Sequence, residues 1–230
     1  MITCRADGRT VWVTIDRPEK GNAFTSGMVR DLRDVLRSMN GQADILVLQG
    51  AGSDFTLGRD REEPKSGSPF EAFSLITDLN QSFADFGGII ISAVNGRAYG
   101  LGMGLVMRSD LAISAESATF MLDEVKLGIP PMFIMAAIFD HMAPKKALDA
   151  ILTSREISSA DALEANILSR VVADRDFNEA IPALVEELLA RDRDVLLVCK
   201  RYAKAVVTTP PPARPAFALV EQTKFTLMKH

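Results

Sequence analysis

Hydrophobic and polar positions along the chain alternate between short β-branched runs and longer amphipathic stretches. Residues 10–15 (TVWVTI) are β-branched and aromatic, which predicts a strand. Residues 16–22 (DRPEKGN) are turn chemistry. Thr25 or Ser26 can cap a helix, and Met28, Leu32, Val35, Leu36 and Met39 then fall on one face, so the helix runs to Met39. Residues 45–48 (ILVL) predict a buried strand ending in Gly50-Ala51-Gly52, and a shorter strand is expected around Phe55 and Thr56. Residues 64–69 (PKSGSP) read as a mobile loop, and residues 70–86 as an amphipathic helix. A strand over 89–94 (IIISAV) ends at Asn95-Gly96, and a glycine-interrupted helix follows over 101–108. Strands are expected at 111–114 and 119–121. Beyond Met132 the pattern turns helical, with helices at 148–152, 160–166, 179–191 and, after Pro210-Pro211-Pro212, at 215–228.

Strand alternating with helix predicts an α/β fold with parallel pairing and crossovers. The 230 residues suffice for one sizeable α/β core with a helical appendage. The expected division is a core over 1–185 and a helical segment over 186–230 belonging to the same fold.

Composition narrows the function. Hydrophobic residues make up 47% and charged residues 24%, an ordinary balance for a folded domain. The formal net charge is -4 and no long basic run occurs, so no nucleic-acid partner is expected. The absence of an apolar signal core and of a membrane-length apolar run predicts a cytoplasmic protein with no membrane partner. Cys4 and Cys199 stand far apart in no paired motif, which fits a reducing compartment.

His141 and His230 are the only histidines, and neither lies near a G-x-S-x-G elbow, so a Ser-His-Asp triad is not expected. No cluster of His, Cys and carboxylates has metal-ligand spacing. Gly100-Leu101-Gly102-Met103-Gly104 has the spacing G-x-G-x-G rather than G-x-G-x-x-G, which argues against a dinucleotide site. Two strand-to-turn sites remain, residues 55–60 (FTLGRD) and 94–102 (VNGRAYGLG). Brought together, they could aim two backbone N–H groups at one oxygen, or their glycines could simply permit tight turns. Glu124, among apolar residues ahead of a turn, is either a desolvated proton-transfer group or a solvated edge carboxylate.

Six segments, in this order, resemble the crotonase superfamily, the enoyl-CoA hydratase/isomerase group. Arg17-Pro18 with Asn22-Ala23 matches R-P-x-x-x-N-A, and residues 46–60 resemble V-L-x-G-x-G-x-x-F-x-x-G-x-D. Residues 93–102 resemble A-V-N-G-x-A-x-G-G-G, and residues 109–114 resemble C-D-x-x-x-A. Residues 124–128 match E-V-x-L-G, and residues 155–162 resemble R-x-x-x-A-x-E-A. The likeness covers about residues 10–175 and implies a ββα spiral core with a C-terminal helical trimerisation region, assembled as a homotrimer or hexamer. It implies acyl-CoA as the substrate partner, with coenzyme A only as part of the substrate and no separate cofactor or metal. The family's enolate-binding N–H groups fall at Arg59 and Leu101, and Leu101 replaces a usual glycine. Asn22, Ala23, Gly58, Asp60 and Gly100 fall at substrate-binding positions, and Lys224 and Phe225 are candidate CoA contacts. Typical hydratases carry two glutamates. The second matches Glu124, but Gly104 stands where the first would be.

The resemblance therefore points to a Δ3,Δ2-enoyl-CoA isomerase working through Glu124 alone. The alternatives are a hydratase or thioester hydrolase with a substitute group, and a non-catalytic acyl-CoA binder. Glu62 and Glu63 are candidate substitutes or solvated loop charges. Asp123 is expected to point away from Glu124, because adjacent residues of an extended segment face oppositely. Residues 130–135 (PPMFIM) replace the family's P-G-x-G-G-T and are expected to form an altered pocket wall or core packing. The C-terminus is shorter than the resemblance implies, and a partner subunit could cover the open site.

Overall fold

β2 (Thr10–Ile15), β3 (Ile45–Gly50) and β4 (Ile89–Val94) lie side by side in parallel, with Val11 opposite Leu46 and Leu46 opposite Ile90. They are near-continuous apolar runs because a parallel sheet is covered on both faces, and every residue of β4 is buried. β1 (Ile2–Asp7) adds an antiparallel edge to β2. On the other side β6 (Leu111–Ala115) and β9 (Arg170–Val172) continue the sheet, giving the order β1-β2-β3-β4-β6-β9. A second sheet, β5-β7-β8, joins β5 (Ala98–Tyr99), β7 (Thr119–Met121) and β8 (Ile157–Ser158).

This computed structural model describes residues 1–64 and 67–229. Part of the expected 64–69 loop, and His230, lie outside the described residues. The chain divides into two units, Met1–Ala183 and Leu184–His230.

In the first unit, α1 (Ser26–Met39) begins where the sequence places it. Thr25 is the cap, its hydroxyl accepting from the Met28 N–H at 3.2 Å. α2 (Pro69–Asp85) starts with a full capping box between Ser68 and Glu71. α3 (Leu101–Arg108) is almost wholly buried, and α4 (Met132–Ile138) follows the Pro130-Pro131 turn. α5 (Pro144–Thr153) and α6 (Ser159–Glu164) complete the unit, and α7 (Phe177–Leu189) runs on past its boundary. Phe24, Phe55, Phe83, Phe86 and Phe120 are each at most 1% exposed and anchor the core. Each such side chain contributes about 1.5–3 kcal/mol by leaving water.

In the second unit α8 (Arg193–Thr208) and α9 (Arg214–Lys229) pack together, with the Tyr202 and Phe217 rings stacked at 5.1 Å. Asp192 caps α8 by accepting from the Val195 N–H, and it also pairs with Lys229 at 2.6 Å. No helix of the described residues is long and apolar enough to cross a membrane.

Several expectations change. The strand around Phe55 and Thr56 is reduced to single bridges, Thr56 to Ala98 and Phe24 to Arg59. β1, α8 and the short strands β5, β8 and β9 were not anticipated, and β8 and β9 lie in the stretch read as helical. β1 is mostly exposed and polar on its edge, and α8 surrounds the short run Val195-Leu196-Leu197-Val198 with charged residues, so neither carries an apolar pattern long enough to mark the whole element.

Candidate active site

The site is built from the turn after β3 and the turn that leads into α3. Asn22 holds the first turn from below. It is fully buried with φ +57°, and its Nδ2 donates to the carbonyls of Ala51 (2.8 Å) and Asp54 (2.7 Å). Its Oδ1 accepts from the Arg17 N–H at 2.9 Å. The side chain expected to bind substrate is thus committed to the scaffold, where it satisfies buried backbone groups. Asp54 in turn receives a two-point ion pair from Arg97 (2.6 and 2.9 Å), which holds its carboxyl below the usual range.

The two turns then meet at Gly58. Its φ is +88°, and a Cβ there would stand 2.9 Å from the Tyr99 carbonyl and 3.3 Å from the Leu101 nitrogen. On one side of Arg59, Phe24 takes the neighbouring groups: its N–H donates to the Gly58 carbonyl, and its carbonyl accepts from the Asp60 N–H. The Arg59 N–H itself therefore points the other way and meets no acceptor among the described residues. The Leu101 N–H, the first of α3, is likewise without an acceptor, as the first turn of a helix leaves it. Leu101 accepts its Cβ without strain because the unusual conformation, φ +50°, falls on Gly100.

Glu124 lies across from these donors. Its Oε1 stands 2.9 Å from where a Cβ of Gly100 would be, and its Oε2 is buried without a hydrogen-bond partner. Burial pushes its pKa up, the Asp123 carboxylate adds to the rise, and Arg61 opposes it. Asp123 does not point away. Its Oδ1 would be 3.5 Å from the same Gly100 Cβ, and its other oxygen pairs with Arg61. The alternation argument fails here because Glu124 already has helical dihedrals (φ -59°, ψ -38°), which swing both carboxylates to one side.

Beside these groups is a cleft of about 370 Å³. Ala23, Leu57, Arg59, Asp60, Tyr99, Met121 and Asp123 line it, with Lys20, Arg61, Glu62 and Arg97 around them. Asp60 is bridged to Arg17 at 2.6 Å, and the Arg17 guanidinium holds its carboxyl below the usual range. Glu62 pairs with Lys20 at 2.6 Å. Glu63 accepts from the Ser26 N–H at 2.8 Å and pairs with Arg59 at 3.0 Å, so it serves the start of α1. The Tyr99 hydroxyl donates to Glu156, and burial raises its pKa. Lys224 and Phe225 belong to the second unit, where Lys224 pairs with Glu221 at 2.7 Å and Phe225 lines a groove with Tyr202. His141 Nδ1 lies 3.0 Å from the Asn166 carbonyl, away from any serine elbow. Among the described residues no group of three or more His, Cys, Asp and Glu could hold a metal.

The ion pairs Arg17–Asp60, Arg61–Asp123 and Arg97–Asp54 were not anticipated, because their partners are 43 or more residues apart. Arg108 was missed as well, although its spacing carried a signal. It lies four residues after Gly104 on α3, which puts the two on one face. Its Nη1 donates to the Gly104 carbonyl at 2.9 Å, and its Nη2 donates to the Phe133 carbonyl at 2.8 Å. The expected altered wall after Gly128 is thus a turn into α4 that meets Arg108.

The enoyl-CoA hydratase/isomerase family profile matches residues 7–226. The enoyl-CoA hydratase AKT6-1 of Alternaria alternata is 30% identical over 182 residues, 78% of this chain and 60% of that protein. The chain thus spans less than two thirds of the length of the Alternaria relatives it matches. The hydroxycinnamoyl-CoA hydratase-lyase of Pseudomonas fluorescens is 30% identical over 204 residues, 84% of this chain and 74% of that protein. A Thermobifida fusca YX structure of the enoyl-CoA hydratase group, solved with CoA, superposes with a TM-score of 0.89. It is 25% identical and covers all of this chain and 95% of that one. A profile match over nearly the whole length, joined to this superposition, places the chain in the enoyl-CoA hydratase/isomerase family, with the crotonase fold.

Proposed function

We propose that the protein is an acyl-CoA enzyme that moves the double bond of a 3-enoyl thioester to the 2-position. One observation carries the reading. Glu124, a half-buried carboxylate, has a buried, unpartnered oxygen and lies against Gly100, whose chain neighbour Leu101 offers an open N–H. The position of the other hydratase glutamate is Gly104. The CoA seen in the Thermobifida relative supports a thioester ligand.

In this mechanism the thioester oxygen accepts from the Arg59 and Leu101 N–H groups. Each donor contributes about 3 kcal/mol as negative charge develops there. Glu124 takes a proton from C2, and the electron pair passes into the thioester oxygen to give a dienolate. The pair then returns through the conjugated system to C4, which takes the proton back from Glu124. The C3–C4 double bond becomes C2–C3, and the carboxylate is regenerated. Its raised pKa suits both steps, since the acid form must survive long enough to return the proton. The family resemblance adds a homotrimer or hexamer, which light scattering of the purified protein tests.

A second reading, hydration of a 2-enoyl thioester, is favoured by Asp123, the other carboxylate near Gly100. There Asp123 and Glu124 would hold the water between them. Turnover of 3-hexenoyl-CoA and of crotonyl-CoA, followed spectrophotometrically, separates the two. The isomerase reading expects turnover of the first substrate and a loss of about 10²–10⁴-fold in Glu124→Gln. Unchanged turnover in that variant sinks it. Efficient crotonyl-CoA hydration that collapses in Asp123→Asn selects the second reading.

A further inference from the structure

We propose that Arg108 makes the acyl-thioester site selective for acyl chains that carry a carboxylate or similar anionic group. The inference deepens the acyl-thioester reading and rests on it.

Arg108 is an isolated cation. Arg17, Arg59, Arg61 and Arg97 each pair with a carboxylate, at Asp60, Glu63, Asp123 and Asp54. Arg108 has no carboxylate partner among the described residues. Its hydrogen bonds among the described residues run to the carbonyls of Gly104 and Phe133. A guanidinium carries five N–H groups, so donors remain for a further acceptor. The side chain is half-buried, and burial lowers its pKa with no neighbouring charge to offset that. Proteins seldom leave such a charge without a counter-ion, because the lost hydration goes unreplaced.

Its position says what the missing partner would be attached to. Leu101, Gly104 and Arg108 share one face of α3, at spacings of three and four residues. A Cβ at Gly104 would be 3.4 Å from Arg108 Nη1 and 3.7 Å from Ile134. The guanidinium therefore stands where the resemblance puts the first hydratase glutamate, one turn from the Leu101 N–H. The site exchanges an anion for a cation at that place. A planar guanidinium is suited to bind a carboxylate through two parallel hydrogen bonds. A thioester seated at Leu101 could bring such a group to Arg108 if its acyl chain bears one.

The test uses the full chain and saturated thioesters, which have no double bond to shift or hydrate. Calorimetry compares succinyl-CoA with butyryl-CoA and glutaryl-CoA with pentanoyl-CoA, pairs matched in chain length. The carboxylated member is expected to bind at least fivefold tighter in one pair, and that ratio falls below twofold in Arg108→Met. A ratio under fivefold in both pairs, or one that survives Arg108→Met, overturns the inference. If Arg108→Met does not fold, Arg108→Lys keeps the charge but loses the fork. There the ratio at least halves, and an unchanged ratio overturns the inference. Failure of butyryl-CoA, pentanoyl-CoA and CoA itself to bind overturns the acyl-thioester reading and the inference with it. Binding of all three with no gain for succinyl-CoA or glutaryl-CoA overturns the inference alone.

Discussion

The Glu124 carboxylate is seated over Gly100, with Oε1 2.9 Å from the place a Cβ would occupy and Oε2 buried without a partner. Only glycine leaves room for it. Because burial raises its pKa, Glu124 holds its proton more tightly when folded than when unfolded. The stability this confers is fully present below the unfolded pKa and is lost as pH rises through the folded one. Glu124→Gln removes the ionisation. The variant is therefore expected to be more stable than the wild type at neutral pH, with the gap closing in acid. Denaturant curves at pH 7 and pH 4 check this, and a variant less stable at pH 7 contradicts it.

Asp123 and Arg61 tune Glu124 in opposite directions. Asp123 raises its pKa and Arg61 lowers it. The rising limb of the pH–rate profile, where the base loses its proton, should move to lower pH in Asp123→Asn. It should move to higher pH in Arg61→Met. Profiles that shift together, or not at all, would remove Asp123 from the surroundings of Glu124.

Gly58 separates the two donors' turns by less than a methyl group. Gly58→Ala would press on the Tyr99 carbonyl and the Leu101 nitrogen, at a φ of +88° that disfavours any Cβ. Turnover is expected to fall by about 10²–10³-fold, the loss typical of one oxyanion donor. Full turnover in a folded Gly58→Ala protein would show that the spacing does not matter.

Asn22→Ala leaves the Ala51 and Asp54 carbonyls and the Arg17 N–H without this partner. The expected loss is at least about 3 kcal/mol of folding stability, from about 1–3 kcal/mol for each of the three groups. Urea unfolding measures it, and a loss below about 1 kcal/mol would mean that water replaces the amide.

Much of this architecture is legible in the chain, because β2, β3, β4, α1 and α3 each carry a local signal: β-branched runs, a Thr25 cap, or glycines at a turn. The open N–H groups at Arg59 and Leu101 lie in the two turns singled out by their glycines. What stayed hidden is side-chain direction. Asn22 faces inward because two carbonyls 29 and 32 residues away need donors. Asp123 sides with Glu124 because one residue changes from extended to helical dihedrals. Neither fact is encoded within a short window of sequence.

The two open N–H groups belong to the main chain, and Glu124 is a side chain. No replacement of Arg59 or Leu101 by another residue with an amide hydrogen erases an N–H, whereas in the proposed mechanism one exchange at position 124 erases the base. On that proposal, random drift in descendants of this gene should alter which reaction is run well before it abolishes the proposed grip on a thioester. Lineages that have lost turnover would still be recognised by their retention of enolate mimics.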